Sequence, residues 1–464
     1  MFEPLYTAEE MRRAEQGHDV TELIERAGRA VAELALEELG DRRSYTVVCG
    51  PGMNGADGRV AARLLREAGR SVRVVEAKTE EEPKELGEPD VIVDALFGTG
   101  FTGAPRPQAA RLIEEVNALA DRLGAEVVAV DCPSGIDAST GEVAGAAIRA
   151  DRTLALHAEK VGLRVTPGAF YAGRTETADI GLTAVETRHA QVASEVLDAV
   201  PLRAREDNKY TAGHVLVVGG SPGLTGAACL VAMAALRADA GYVTVAGPRS
   251  TLPTLEARLL EPVKRPLPED EDGRVTAEAF DVVEELAERA GAVAVGPGLG
   301  RSDGTKELVR RLLAELELPV VVDADALWEL EPGDWPAPRV LTPHAGELAR
   351  LLGETSAWVD AHRLAAVERA VDRFECVVLL KGEGTLVSAP GATALVCEGF
   401  PSLATAGTGD VLTGIIGSFL AKGMDARLAG ASGARAQFEA AIVAPQRAGL
   451  VAGDLLEALP EVLE

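Results

Sequence analysis

The sequence lacks three things: paired cysteines, a surplus of positive charge, and any apolar run long enough to cross a bilayer. Its five cysteines, Cys49, Cys132, Cys229, Cys376 and Cys397, are scattered with no CxxC spacing. That excludes a disulfide framework or a zinc site and leaves free thiols in a reducing compartment as the expectation. Lysine and arginine number 46 against 73 aspartates and glutamates, a formal net charge of −27. Such a chain repels phosphate backbones and anionic lipid, because sequence-independent binding to either needs basic side chains. Neither nucleic acid nor a membrane is an expected partner. Residues 1–15 are charged and carry no apolar h-region, so no signal peptide is expected. No apolar stretch reaches the roughly 20 residues that a bilayer demands. The cytoplasm is the expected location.

What is present fits a pair of ordinary globular domains. At 464 residues the chain exceeds the roughly 250–300 residues at which single cores stop growing. Hydrophobic residues make up 47% and charged residues 26%, enough to fill two cores and too apolar for disorder. Thr7 and Glu10 have the spacing of a capping box and predict a helical region running to about residue 39. Strands follow at 44–49, 71–75, 90–94 and 126–131, with helices at 59–68 and 108–123 and a glycine-rich turn at 50–58. Near-continuous apolar strands alternating with helices imply a parallel sheet covered on both faces. The punctuation weakens between Gly181 and Asn208, and a second alternating series then begins, with strands at 214–218, 242–246, 292–295, 320–323 and 376–380. The Pro- and acid-rich stretch 261–273 reads as a surface loop. The expected fold is α/β: two tandem three-layer α/β/α domains, Rossmann-like over 1–203 and a second over 204–464.

Glycine-bearing turns follow the first series of strands, where ligands of open α/β sheets gather. They are Gly50-Pro-Gly-Met-Asn-Gly-Ala-Asp-Gly58, Asp94-Ala-Leu-Phe-Gly-Thr-Gly-Phe-Thr-Gly103 and Asp131-Cys-Pro-Ser-Gly-Ile-Asp137. Taken singly, each reads as a tight turn; together, they offer backbone N–H groups that hold pyrophosphate without basic side chains. Asn54, Asp94 and Ser134 add hard oxygen donors at three neighbouring strand ends.

With Thr140-Gly141, Lys160-Val-Gly162, Pro167-Gly168 and Asp179-Ile-Gly181, these turns resemble the NAD(P)H-hydrate epimerase family along residues 1–185. The resemblance implies K⁺ held by Asn54, Asp94 and Ser134. It also implies hydrate contacts from Met53, Asn54, Gly55, Ala56 and Asp57, from Gly98, Thr99, Gly100, Phe101, Thr102, Gly103 and Ala104, and from Asp131, which is the candidate acid/base. Two departures stand out: Met53 and Ala56 replace the family's Asn and Gly. Met53 donates no hydrogen bond, and Ala56 resists positive φ.

In the second half, Ala406-Gly-Thr-Gly-Asp410 precedes an apolar helix. Glycines at a helix amino terminus present unpaired N–H groups to a phosphoryl group, and Asp410 is placed to deprotonate an attacking hydroxyl. The element resembles the ribokinase-like superfamily. With Gly296-Pro-Gly-Leu-Gly300, Asp323-Ala-Asp-Ala-Leu327, Leu341-Thr-Pro-His-Ala-Gly-Glu347 and Leu380-Lys-Gly-Glu-Gly-Thr385, residues 205–464 resemble the NAD(P)H-hydrate dehydratase family. That resemblance implies nucleotide contacts from Lys381, Gly382, Glu383, Gly384, Thr385 and Gly409, and hydrate contacts from Ala227, Gly300, His344 and Asp410, with Asp410 catalytic. His344 also has the position of a simple helix cap. Phe400, Ser402, Leu403 and Gln437 replace the family's usual Asn, Gly, Met and His.

The implied activity is repair of hydrated NADH and NADPH (NADHX and NADPHX): epimerisation of the R and S forms, then dehydration of the S form driven by ADP or ATP with Mg²⁺. A homo-oligomer is the expected state. The alternative is a ribokinase-like small-alcohol kinase whose first domain binds a dinucleotide without catalysis.

Overall fold

A computed structural model describes residues 1–77, 85–446 and 448–464. The chain forms two compact units, one of Pro4–Ala190 with Asp360–Leu364, the other of Met1–Glu3, Gln191–Val359 and Ala365–Glu464. The division between Ala190 and Gln191 precedes the expected boundary at 203/204.

The amino-terminal unit is built on a six-stranded sheet in the order Ser71–Glu76, Ser44–Cys49, Val91–Ala95, Glu126–Val130, Arg152–Leu156, Arg174–Ala178. Every pairing in it is parallel. Alternate residues face opposite ways, so Val47, Val93 and Val128 pack with helices Val20–Glu37 and Met53–Glu67, while Val48, Ile92 and Val127 pack with helix Pro107–Leu123. Thr7 and Glu10 form the expected capping box on helix Ala8–Glu15.

The helix expected at 59–68 begins earlier, at Met53. Gly55 and Gly58 there serve close packing. A Cβ on Gly55 would meet the Gly50 carbonyl oxygen at 1.9 Å, and one on Gly58 the Ala95 Cβ at 2.5 Å. Ala56 therefore lies in helix and needs no positive φ, which removes the backbone objection to it.

The carboxy-terminal unit carries an eleven-stranded sheet. Its order is Phe2–Leu5, His189–Val192, Leu395–Cys397, Thr385–Ser388, Val377–Leu380, Arg339–Leu341, Val320–Val322, Ala292–Val295, His214–Val218, Tyr242–Pro248, Val263–Leu267. From Val377–Leu380 to Val263–Leu267 the pairing is parallel throughout. The last of these strands corrects the surface-loop reading of 261–273. Pro266 pairs opposite Gly247 on the sheet edge, where a missing N–H is tolerated. Helix Thr408–Ala421 is apolar nearly all round because it is buried nearly all round. It lies against helix Thr225–Arg237 so tightly that a Cβ on Gly414 would meet the Val231 carbonyl oxygen at 2.3 Å.

Arg339 opens one strand of this sheet at 1% exposure and has no carboxylate partner among the described residues. Its guanidinium instead donates to the carbonyls of Leu313, Leu316, Leu318, Ala337 and Pro338. Two of these close the carboxyl end of helix Asp303–Glu315, the negative end of its dipole. Burial brings the guanidinium down to about 10. Arg339→Met leaves these carbonyls unsatisfied and should destabilise this unit by roughly 3 kcal/mol or more, read by urea denaturation.

Candidate functional site

Both units gather their candidate residues at the carboxyl ends of parallel strands. In the amino-terminal unit a cleft of about 440 Å³ is lined by Met53, Asn54, Asp57, Gly98, Thr99, Gly100, Phe101 and Asp131 among others, with Glu15 on its wall. Gly55, Ala56, Thr102, Gly103 and Ala104 are not among the lining residues. Gly103 turns with φ 73° and Ala104 is exposed. Phe101 stacks on Phe97 with ring centroids 4.7 Å apart. Helix Met53–Glu67 starts at Gly52 with no side-chain cap, so its amino-terminal N–H groups remain available.

Asn54 and Ser134 meet at the Phe97 backbone, and Ser134 joins that backbone to Asp94. Asn54 Nδ2 donates to the Phe97 carbonyl at 2.8 Å, and Phe97 N–H donates to Ser134 Oγ at 2.8 Å. Ser134 gives its hydroxyl and its N–H to the two oxygens of Asp94, each at 2.7 Å. Asp94 is 1% exposed and has no Lys or Arg partner among the described residues. Burial pushes its carboxyl up to about 6 against the pull of those Ser134 bonds. A buried acid bonded to the Ser134 hydroxyl, with no cationic side-chain partner among the described residues, fits a weakly polarising monovalent cation.

Asp131 sits just past strand Glu126–Val130 with φ 69°, a left-handed conformation uncommon for a non-glycine residue. Its Oδ1 accepts the Leu156 N–H at 3.1 Å and pairs closely with Lys160 Nζ. Lys160 is 0% exposed and donates also to the Leu156 carbonyl at 2.7 Å. Its backbone is fixed by a bridge to Tyr6. Lys160 was not among the predicted site residues. Its only sequence signal is its place in the Lys160-Val-Gly162 string.

In the carboxy-terminal unit the segment Gly407-Thr-Gly-Asp410 caps helix Thr408–Ala421. Gly407 is the N-cap, with φ 91° and no side-chain cap, and Asp410 lies in the first turn. A Cβ on Gly409 would sit 3.3 Å from Lys381 Nζ and 4.0 Å from Asp323 Oδ2. Lys381 Nζ pairs with Asp323 Oδ1 at 2.7 Å, and Thr413 Oγ1 donates to Asp323 Oδ2 at 2.8 Å. Burial disfavours the Lys381 charge, but Asp323, Glu347 and Asp410 outweigh it and hold the ammonium above its ordinary value. Asp410 is pushed up to about 6 by burial and by Asp323, with Lys381 opposing. That places a carboxylate at neutral pH close to the ideal strength for a general base. Asp323, at 1% exposure, is the second residue the sequence reading did not single out.

Lys381 N–H donates to the Pro343 carbonyl at 2.9 Å, which sets segment 381–385 beside His344. His344 is a true helix cap. Its Nδ1 accepts from Gly346 N–H at 3.0 Å and Glu347 N–H at 3.3 Å, while its own N–H donates to Glu347 Oε2 at 2.9 Å. The ring is exposed, and its Nε2 lies 3.5 Å from Glu347 Oε1. Gly300 N–H donates to Asp325 Oδ2 at 3.0 Å. The loop before it packs on the neighbouring strand ends, since a Cβ on Gly296 would meet the Asp323 carbonyl oxygen at 1.8 Å. Ala227 lies in the first turn of the helix packed against Thr408–Ala421, and Leu230 of that helix touches the Gly407 position. Gln437, where a His is usual, donates to the Thr408 carbonyl.

A family model described as NAD(P)H-hydrate dehydratase matches residues 215–462. A second, described as YjeF-related protein N-terminus, matches 20–86 and 74–162. A bifunctional NAD(P)H-hydrate repair enzyme of Moorella thermoacetica is 40% identical over 95% of this chain and 92% of its own. The chain belongs to the family of bifunctional NAD(P)H-hydrate repair enzymes. The Escherichia coli member is 34% identical over 99% of this chain and 94% of its own. An ADP/ATP-dependent NAD(P)H-hydrate dehydratase of Bacillus subtilis, co-crystallised with ATP and Mg²⁺, aligns with a TM-score of 0.52 at 26% identity, covering 59% of this chain and 96% of that one. A ribokinase-like superfamily protein of Enterococcus faecalis shares the fold at a TM-score of 0.52 and 22% identity, over 61% of this chain and 97% of that one. Membership over both halves sets aside the small-alcohol kinase reading. No helix among the described residues is long and apolar enough to cross a membrane.

Lys160→Met removes one partner of a buried pair and leaves Asp131 uncompensated. The expected cost to the amino-terminal unit is roughly 3–5 kcal/mol, read by thermal denaturation. Lys160→Met combined with Asp131→Asn should recover much of it.

Proposed function

We propose that the amino-terminal unit interconverts the R and S hydrates of NADH and NADPH and that the carboxy-terminal unit dehydrates the S form with ADP or ATP. The observation that carries the second step is Asp410. It stands in the first turn of a helix whose N-cap glycine supplies no side-chain cap, beside Gly409 and the Lys381 ammonium. Those groups cradle a transferring phosphoryl, and Asp410 takes the proton of the hydrate hydroxyl as its oxygen attacks phosphorus. Phosphate is a far better leaving group than hydroxide. The ring-nitrogen lone pair then expels it, and loss of a proton from the adjacent carbon restores the reduced nicotinamide. Lys381 to Thr385 contact the nucleotide; Ala227, Gly300 and His344 contact the hydrate. Mg²⁺ arriving with the nucleotide would supply positive charge to its phosphates.

In the first step Asp131 moves the proton, and Met53, Asn54, Asp57 and Gly98 to Phe101 hold the hydrate. The geometry around Phe97 supports Asn54, Asp94 and Ser134 as the residues that would hold K⁺, which would supply positive charge to the site. The free buried thiols of Cys49, Cys132, Cys376 and Cys397 suit a cytoplasmic setting. A homo-oligomer is part of the proposal and is read by sedimentation.

The test mixes purified protein with both epimers of NADH hydrate and either nucleotide, and follows the return of reduced-nicotinamide absorbance. Recovery should be complete for the wild type. Asp410→Ala should lower the rate by about 100-fold or more while nucleotide still binds. Asp131→Asn should strand the R epimer, so that only the S share is recovered rapidly. Wild-type recovery rates in Asp410→Ala would overturn the role given to that carboxylate.

A further inference from the structure

The cleft of the amino-terminal unit holds more acid than one proton shuttle requires. Glu15 from helix Ala8–Glu15, Asp57 from helix Met53–Glu67 and Asp131 all line it. The one ammonium tied to this group among the described residues, Lys160, is wholly buried and committed to Asp131 and to the Leu156 carbonyl. Asp57 is 6% exposed and has no hydrogen bond or ion pair from its side chain among the described residues. An uncompensated buried carboxylate next to other carboxylates is costly, so such a group keeps its proton. The two inner acids therefore differ in kind. Asp131 is a carboxylate with one oxygen fixed by Lys160 and the Leu156 N–H, and Asp57 is a carboxylic acid opening on the same space.

We propose that Asp57 is a second catalytic residue of the epimerisation, the acid that protonates the departing hydroxyl, while Asp131 is the base that takes a proton from the water that returns. The inference rests on the epimerase reading above and gives it a two-group mechanism. In the forward half the ring-nitrogen lone pair forms a C=N bond as the C–O bond breaks. The hydroxyl leaves as water with the proton of Asp57. A water then adds to the opposite face, its oxygen forming the new C–O bond as Asp131 accepts its proton and the lone pair returns to nitrogen. The reverse reaction uses the same two groups with their roles exchanged, and net conversion in one direction returns the proton through cleft water. Pairs of acids whose surroundings drive them apart in strength are how one site supplies both an acid and a base near neutral pH.

Burial, then the charges of Asp131 and Glu15, push Asp57 up to about 8. Epimerisation by the wild type should therefore fall off above about pH 8, as Asp57 loses its proton. The experiment follows hydrate interconversion chromatographically, without nucleotide, in the full-length protein. Asp57→Asn should lower kcat by about 100-fold or more with little change in KM, and the residual rate should lack the alkaline limb. Asp57→Glu should restore part of kcat together with that limb. Because Asn removes an unpaired buried acid, the variant should melt no lower than the wild type at pH 8, which separates lost chemistry from lost folding. A kcat retained in Asp57→Asn, with only KM raised, would reduce Asp57 to a binding group and overturn the proposal. A wild type that interconverts nothing would overturn the epimerase reading as well.

Discussion

Each half of this protein turns on one ammonium–carboxylate pair set into the carboxyl edge of a parallel sheet. Lys160 meets Asp131 in the first, and Lys381 meets Asp323 in the second. A buried pair contributes little net stability, since the cost of stripping water from both charges offsets their attraction. Its value lies in what cannot then move. Asp131 is held at a backbone conformation few non-glycine residues adopt, with one oxygen fixed and the other left to the cleft. Asp323, tied also to Thr413, fixes the Lys381 ammonium beside Gly409. In a chain with 46 basic residues against 73 acidic ones, both cations are spent on orienting groups at a site.

The same acidic balance explains how phosphate can be held at all. Helices Ala8–Glu15, Asp303–Glu315 and Ala345–Leu352 have their terminal N–H groups satisfied by Thr7, Ser302 and His344. The helices that open on the candidate sites, starting at Met53 and Thr408, follow the glycines Gly52 and Gly407 and have no such cap. Bare helix termini present partial positive charge without a basic side chain. An anion can then be bound locally by a surface that repels anions at long range.

Much of this was legible in the sequence, for identifiable reasons. Strands such as His214–Val218 and Ala292–Val295 are short apolar runs bounded by glycine and charge, and they form where those runs lie. The start of helix Met53–Glu67 was hidden because its glycines look like turn formers, when their missing side chains instead admit the Gly50 carbonyl and Ala95. Strand Val263–Leu267 was hidden by Pro266, which an edge position tolerates. The turns that line both sites could be read as motifs. Their pairing partners could not, because Lys160 lies 29 residues from Asp131 and Lys381 lies 58 from Asp323. No local pattern links residues that only the strand order brings together.

Close backbone approach joins the sites to the fold that carries them. A side chain at Gly55 would strike the Gly50 carbonyl, one at Gly296 the carbonyl of Asp323, and one at Gly298 the carbonyl of Leu224. Each of these contacts connects a loop at one strand end to the neighbouring strand end or helix start. Loops fixed to one another in this way cannot shift independently, so a substitution at Gly296 displaces the Asp323 backbone and, through its side chain, the Lys381 ammonium. Departures such as Met53 and Gln437 avoid that constraint: Met53 is exposed at the cleft mouth, and Gln437 still reaches the Thr408 carbonyl. A side chain is accommodated where it reaches open space or a hydrogen-bond partner and excluded where two backbones touch, which is why glycines carry so much of the architecture at both sites.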